Sequence, residues 1–463
     1  MKTRAVALID GEHYPAVTRD ALQSAAERYD VRAAVFLGGA EKIRQGDLQG
    51  QAQELYGLPV VFDTDACRGL ARAIEDYRPE VVIDLSDEPV LGYEQRFRLI
   101  SESLARNVSY VGPDFHFRPP SLTRLCASPS LSVIGTGKRV GKTAVSGYVA
   151  RAAKRVFAGL GKGPEVVVVA MGRGGPQEPE IVDGQAARLT VKELLEWSRQ
   201  GRHAASDHFE DALLSRVVTV GCRRCGGGMA GQPFVSTVAE GVRVANHLEP
   251  SFIVLEGSGA ALPPVASDAR LLVAGGHQPV EHVAGLLGAY RLLVSDALVL
   301  TMAEEPLASA AKVKAVLRAV AQVKPGMPTV RVVFRPRPVE DVQGKRVAFF
   351  CTAVPGQVES MRRHLEEANG CQVEFVSCNL ADRRALRRDL DRLRTLSAEA
   401  VLTEIKAAAI DLVAEEAETL GLPVVPVDNE PVEAEGETPG RLAELVEELL
   451  RTAVERFKSG EQG

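Results

Sequence analysis

One short stretch constrains this chain more than any other: Gly135-Thr136-Gly137-Lys138-Arg139-Val140-Gly141-Lys142-Thr143. It follows the apolar run Leu131 to Ile134, which reads as a buried strand. It precedes Val145, Tyr148, Val149, Ala152 and Val156, apolar residues at helical spacing. Strand, glycine-rich turn, Gly-Lys-Thr and helix form the layout of a phosphate-binding loop. Glycines let successive backbone N–H groups point into one hollow, and the helix N-terminus adds partial positive charge. Lys142 is then expected to reach the β- and γ-phosphates, and the Thr143 hydroxyl to ligate Mg²⁺. The nucleotide-contacting set is predicted as Gly135, Thr136, Gly137, Val140, Gly141, Lys142, Thr143 and Ala144. The common spacing places a glycine where Thr136 stands; here glycines flank it at 135 and 137.

A chain of 463 residues is too long for one ordinary core and predicts two to four domains. The net charge of −6 gives no general attraction for nucleic acid, so an anionic ligand needs a local basic patch. No apolar run approaches the roughly 20 residues that span a bilayer, and no membrane role is expected. The start, Met1-Lys2-Thr3-Arg4, leads into a strand pattern rather than a signal peptide. Seven scattered cysteines fit reduced thiols, and the expected location is cytoplasmic.

Strand and helix patterns alternate along the chain, predicting an α/β protein of three β/α modules with mainly parallel sheets. The first module spans 1–125 and is read as a substrate-binding or lid domain. Its strand ends carry the polar clusters Asp10-Gly11-Glu12-His13-Tyr14, Gly38-Gly39 and Asp84-Leu85-Ser86-Asp87-Glu88, where ligands of such sheets gather. Arg96 and Arg98 read as solvated helix residues. A Pro- and Ser-rich linker, Phe117 to Ser130, separates this module from the second, 131–325, which holds the phosphate loop and is read as the ATP-binding catalytic domain. The third, 330–463, ends in a charged amphipathic helix. Its Glu404, Lys406, Asp428 and Glu430 lie near strand ends and read as solvated.

A phosphate loop calls for an acid at the end of a neighbouring strand to hold Mg²⁺. Glu256, which terminates the apolar run Phe252 to Leu255, fits that place, and Asp183 is a second candidate. Arg173, in Met171-Gly172-Arg173-Gly174-Gly175-Pro176, and the pair Arg223/Arg224 each stand in a glycine-rich loop just after a strand. Arginine there presents bidentate donors to phosphate or carboxylate, predicting a second, polyanionic substrate beside the nucleotide. Lys138, Arg139 and Arg173 are candidates for stabilising charge on the transferred phosphoryl, with Lys142. Cys222 and Cys225 form one Cys-x-x-Cys without a second pair, so neither a zinc site nor a redox pair is expected. His203 and His208 read as surface or loop residues.

The Gly135-Thr136 and Val140-Gly141-Lys142-Thr143 residues, with Glu256-Gly257-Ser258-Gly259 and Pro263, resemble dethiobiotin synthetase. That likeness implies a central P-loop NTPase domain of dethiobiotin synthetase-like type, with Glu256 at the metal. The chain as a whole more closely resembles the cyclic 2,3-diphosphoglycerate synthetase family. The β/α N-terminal part, the phosphate loop, the 171–176 segment and the cysteine-containing stretch 222–228 carry this resemblance. It implies an ATP- and Mg²⁺-dependent ligase that closes 2,3-diphosphoglycerate into a cyclic phosphoanhydride, with ADP and phosphate released. Stimulation by K⁺, a homodimer and a cytoplasmic enzyme are implied in the same way. Two alternatives remain at this point: a dethiobiotin synthetase-like ligase acting on another anionic small molecule, and a non-catalytic P-loop ATPase switch.

Overall fold

The computed structural model describes residues 2–39, 41–43, 50–184, 207–405 and 410–460. His203 and Lys406 lie outside them. The chain forms two compact units. The first comprises 1–121 with the later segments 279–294 and 318–325; the second comprises 122–278, 295–317 and 326–463.

The first unit is built on a sheet of order β3-β2-β1-β4-β5-β6. The strands are β1 (Thr3–Ile9), β2 (Tyr29–Phe36), β3 (Val60–Phe62), β4 (Val81–Asp84), β5 (Ser109–Val111) and β6 (His116–Phe117). β1 to β5 are parallel and β6 turns back antiparallel. Such a sheet needs crossovers, which the helices Pro15–Arg28, Ala52–Tyr56, Ala66–Tyr77 and Tyr93–Ala105 supply. The strand order reverses between β1 and β4, and two buried carboxylates tie the loops there together. Asp10 accepts from the backbone N–H groups of Glu12 (2.9 Å) and His13 (3.2 Å) and, across the crevice, from that of Asp87 (2.9 Å). Asp84 accepts from the Arg96 Nε (2.8 Å) and the Tyr110 hydroxyl (2.8 Å). Arg96 is thus a partner of a buried acid rather than a solvated residue, and burial raises the Tyr110 phenol well above its ordinary pKa.

The second unit contains one sheet, thirteen-stranded among the described residues, of order β11-β10-β8-β12-β7-β13-β14-β15-β19-β18-β16-β17, with β9 also paired to β10. Its strands are β7 (Ser130–Gly135), β8 (Val166–Gly172), β9 (Glu180–Asp183), β10 (Val218–Cys225), β11 (Val235–Ser236), β12 (Phe252–Glu256), β13 (Ala269–Gly275), β14 (Ala297–Thr301), β15 (Thr329–Pro338), β16 (Arg346–Phe350), β17 (Gln372–Ser377), β18 (Ala400–Thr403) and β19 (Val424–Glu433). β7, β8, β10, β12, β13 and β14 are parallel, and apart from the Arg223–Cys225 end of β10 they are buried, so most of them read as largely apolar runs.

β15 joins two sets of strands. Its first residues pair parallel with β14 (Leu300 with Arg331), and the rest pair antiparallel with β19, from Val332 with Glu433 to Pro338 with Val427. β16 to β19 therefore run opposite to the phosphate-loop strands while sharing their sheet. One face of the central strands is covered by helices Lys142–Val156 and Arg441–Ser459, which bring Val145, Val149, Leu445, Val446, Leu449 and Leu450 into one core. Helix Val238–His247 covers the other face.

Candidate functional site

β7 ends at Gly135 and helix Lys142–Val156 begins seven residues later. Gly141, the residue before the helix, is left-handed at φ 79°, a conformation that favours glycine. A Cβ there would also stand 2.2 Å from the Phe334 ring of β15, so the loop and that ring fit together only without a side chain. Lys142 is 8% exposed; its Nζ donates to the Gly137 carbonyl at 3.0 Å, folded back over the turn. A Cβ on Gly135 would lie 2.7 Å from the Lys142 stem, so that glycine makes room for the lysine's path. Thr143 and Ala144 form the first helical turn. Lys138 and Arg139 are exposed at the tip, with Arg139 left-handed at φ 60°.

Residues from other strands hold the loop. Gln278, which follows β13, accepts through Oε1 from the Thr136 hydroxyl at 2.5 Å and from the Gly275 N–H at 2.9 Å. The buried Thr301 hydroxyl, at the end of β14, donates to the Val140 carbonyl at 2.8 Å. None of Gln278, Thr301 and Phe334 was singled out from sequence. The Gly275-Gly276 pair directly after a strand was the one local signal available near Gln278.

Glu256 ends β12, the strand beside β7, in register with Val133; its residue is 3% exposed. The turn that follows is closed by Ser258 and Ala261, and Gly259 is left-handed at φ 60°. Over this turn two arginines meet. The Nη2 atoms of Arg173 and Arg224 come within 2.9 and 3.3 Å of the point where a Gly259 Cβ would stand. Arg224 donates to the Ser258 carbonyl at 2.8 Å and to that of Gly226 at 2.9 Å. Arg223 donates through Nε to the Pro176 carbonyl at 2.7 Å. With Gly174, Gly175, Cys225 and Val235 the three arginines line a cleft of about 350 Å³. Among the described residues, Arg173 and Arg223 have no carboxylate partner.

The structure alters several expectations. Arg223 and Arg224 lie not in a loop but on β10, which runs through Cys225 and pairs there with β11. Asp183 pairs with Val218 at the opposite end of β10 from Arg223, so it is not brought to Glu256 or Thr143. His208 is buried, 4% exposed, on helix Asp207–Ser215. Asp428 and Glu430 are not solvated: both bind Arg151 of the phosphate-loop helix and Arg337 of β15. Glu404 is likewise buried and accepts from Thr352. Cys222 packs under helix Val238–His247, and burial pushes its thiol up to about 12. Cys225 is exposed, and among the described residues no group of three or more His, Cys, Asp or Glu could hold a metal ion. No helix among the described residues is long and apolar enough to cross a membrane.

Three family models match the chain: "Cyclic 2,3-diphosphoglycerate synthetase, N-terminal domain" over residues 4–118, the corresponding P-loop domain over 130–333, and the corresponding C-terminal domain over 338–430. A protein of Rubrobacter xylanophilus named cyclic 2,3-diphosphoglycerate synthetase is 50% identical over 99% of this chain and 100% of its own length. One of the same name from Methanothermus fervidus is 41% identical over 98% of both chains. Among solved structures, the hydrogenase maturation factor HypB of Archaeoglobus fulgidus aligns with 44% of this chain and 81% of its own, at 10% identity and a TM-score of 0.28.

Proposed function

The chain belongs to the cyclic 2,3-diphosphoglycerate synthetase family, and from that premise we propose that it is an ATP-dependent ligase that closes 2,3-diphosphoglycerate into its cyclic phosphoanhydride, releasing ADP and phosphate. One observation carries the reading. Three guanidinium groups share a cleft beyond the same strand ends as the phosphate loop; Arg223 bonds there to the Pro176 carbonyl, and Arg224 to the Gly226 carbonyl and to the carbonyl and hydroxyl of Ser258. Like charges gathered this way suit a ligand with several negative charges. The substrate carries about five near neutral pH, given a phosphate second pKa near 6.

The reaction needs two displacements. An oxygen of one substrate phosphate attacks the γ-phosphorus of ATP, and the bond to the β–γ bridging oxygen breaks, leaving with ADP. An oxygen of the second substrate phosphate then attacks the phosphorus of the activated one. The ring P–O–P bond forms, and the bond to the outer phosphoryl breaks to release inorganic phosphate. Lys142 and the turn 135–143 hold the triphosphate, while Lys138, Arg139 and Arg173 offset charge on the phosphoryl in flight. Arg223 and Arg224 anchor the substrate so that its two phosphates face each other, which converts ring closure into a pre-oriented event.

A buried carboxylate beside the loop suits a hard cation, so Thr143 and Glu256 would hold Mg²⁺. When bound, that ion would offset phosphate charge and so lower the repulsion between the nucleotide and the substrate. The same reading includes a homodimer in the cytoplasm, and light scattering at two protein concentrations tests the dimer.

The test of function is a phosphorus NMR time course with ATP, Mg²⁺ and 2,3-diphosphoglycerate. A new anhydride resonance growing in step with ADP and phosphate is the expected result. ATP loss without that resonance would leave only a P-loop ATPase.

A further inference from the structure

Gln278 stands against the phosphate loop with half of its side chain committed and half not. The residue is 8% exposed. Its Oε1 lies 2.9 Å from the Gly275 backbone nitrogen and 2.5 Å from the Thr136 hydroxyl. A backbone N–H can only donate, so the atom facing Gly275 must be the amide oxygen. The orientation of the amide is therefore set by chemistry, not by assignment.

The nitrogen must then point the other way, toward the turn. Nε2 lies 3.0 Å from the point where a Gly137 Cβ would stand. It makes no hydrogen bond to the described residues. The Gly137 carbonyl, meanwhile, takes the Lys142 ammonium at 3.0 Å. Two N–H donor groups, one charged and one neutral, thus converge on a single glycine of the turn. The residue is mostly buried but this nitrogen is not fully enclosed, so an incoming acceptor can reach it, and amide donors in native proteins are nearly always satisfied. The acceptor that belongs in this hollow is one the ligand brings.

We propose that Gln278 Nε2 donates a hydrogen bond to a non-bridging phosphate oxygen of the bound nucleoside triphosphate, making Gln278 a nucleotide-contacting residue beside Lys142. The assignment rests on the reading of residues 135–143 as the triphosphate site. It also gives a reason for the departure from the common loop spacing at position 136. The Thr136 hydroxyl, which a glycine would lack, orients the amide so that its nitrogen faces inward.

The test is calorimetric titration of the full-length chain with Mg·ATP and, separately, with 2,3-diphosphoglycerate. Gln278→Glu keeps an oxygen for Gly275 and Thr136 but puts a carboxylate oxygen where Nε2 was. At about pH 8 it should bind ATP at least about tenfold more weakly than the unaltered chain, with 2,3-diphosphoglycerate affinity and thermal midpoint unchanged. The deficit relative to the unaltered chain should shrink as the pH falls toward the ordinary glutamate range near about 4.3, because a protonated carboxyl donates again. A deficit that ignores pH, or one shared equally by both ligands, marks Gln278 as structural and overturns the proposal. Should Gln278→Glu fail to fold, Gln278→Met reads the same loss of ATP affinity without a buried charge, and unchanged ATP affinity there overturns it equally. Lys142→Ala is the control. If it weakens ATP binding and the Gln278 variants do not, only the Gln278 assignment falls. If neither substitution matters, the triphosphate reading falls with it.

Discussion

Arg223 and Arg224 are adjacent in sequence and line one cleft, but they reach different partners. Arg223 donates to the carbonyl of Pro176, and Arg224 reaches past the end of β8 to Ser258. Their residue type was legible from sequence; their direction was not, because β10 extends through what reads as a glycine-rich loop. Hydrogen bonds to charged groups contribute about 1.5–3 kcal/mol each. Arg223→Ala with Arg224→Ala should therefore weaken 2,3-diphosphoglycerate binding by about a hundredfold or more while ATP affinity stays within about twofold. Equal weakening of both ligands in a titration would make these arginines general structure. Cys225 offers an independent probe of the same cleft, since it is exposed and lines it. Cys222 is 1% exposed, and its thiol, raised to about 12 by burial, stays protonated near pH 8, so it presents little thiolate. Iodoacetamide should modify Cys225 well before Cys222. Saturating 2,3-diphosphoglycerate should slow Cys225 alkylation and ATP alone should not, as peptide mass mapping over time would reveal.

The phosphate loop shows how much of an element is decided away from its own sequence. Strand, turn and helix were readable at 130–156 from apolar spacing and glycine positions, and the helix Lys142–Val156 forms there. What holds the turn is supplied from elsewhere: Gln278 at Thr136, Thr301 at Val140 and Phe334 at Gly141. These contacts join residues more than a hundred positions apart, and no periodicity encodes them. Gly141→Ala forces an L side chain into left-handed backbone, costing about 1–2 kcal/mol, and drives its methyl into the Phe334 ring. The expected outcome is a lower thermal midpoint and loss of ATP binding. Adding Phe334→Ala should recover part of the stability, since it removes the clash and leaves the backbone strain. No recovery in a thermal melt would mean that the ring does not press on the loop.

At the scale of the molecule, the charged amphipathic helix read as the end of the third module belongs to the core of the phosphate-loop sheet. Helix Arg441–Ser459 buries Leu442, Leu445, Val446, Leu449, Leu450 and Ala453. Burying one large aliphatic side chain contributes about 1.5–3 kcal/mol, and a whole domain is stable by only about 5–15 kcal/mol. Truncation after residue 440 should therefore abolish cooperative unfolding of the second unit, not merely trim its last module. A truncated chain with an unchanged calorimetric transition would contradict that. The first unit has a similar dependence. Its helix Tyr93–Ala105 packs with helix Gly288–Leu293, and the Ser101 hydroxyl lies 3.2 Å from the Leu286 carbonyl. A fragment of residues 1–125 should consequently show faster amide exchange along 93–105 than the full chain.

Local information in the sequence was enough to determine the α/β class, the alternation of strands and helices, and the phosphate turn, because each depends on side-chain spacing over a few residues. It was also enough for the chemical types of the basic and acidic groups. Only the tertiary structure decided which of those groups meet. Parallel strands align their C-terminal ends, so Glu256, Arg173, Arg223 and Arg224 gather at the ends of β12, β8 and β10, while the antiparallel pairing of β9 takes Asp183 to the far end. The continuous sheet through β15 and β19 was likewise beyond local reading, since strand pairing is a choice among distant partners made by packing of the whole chain.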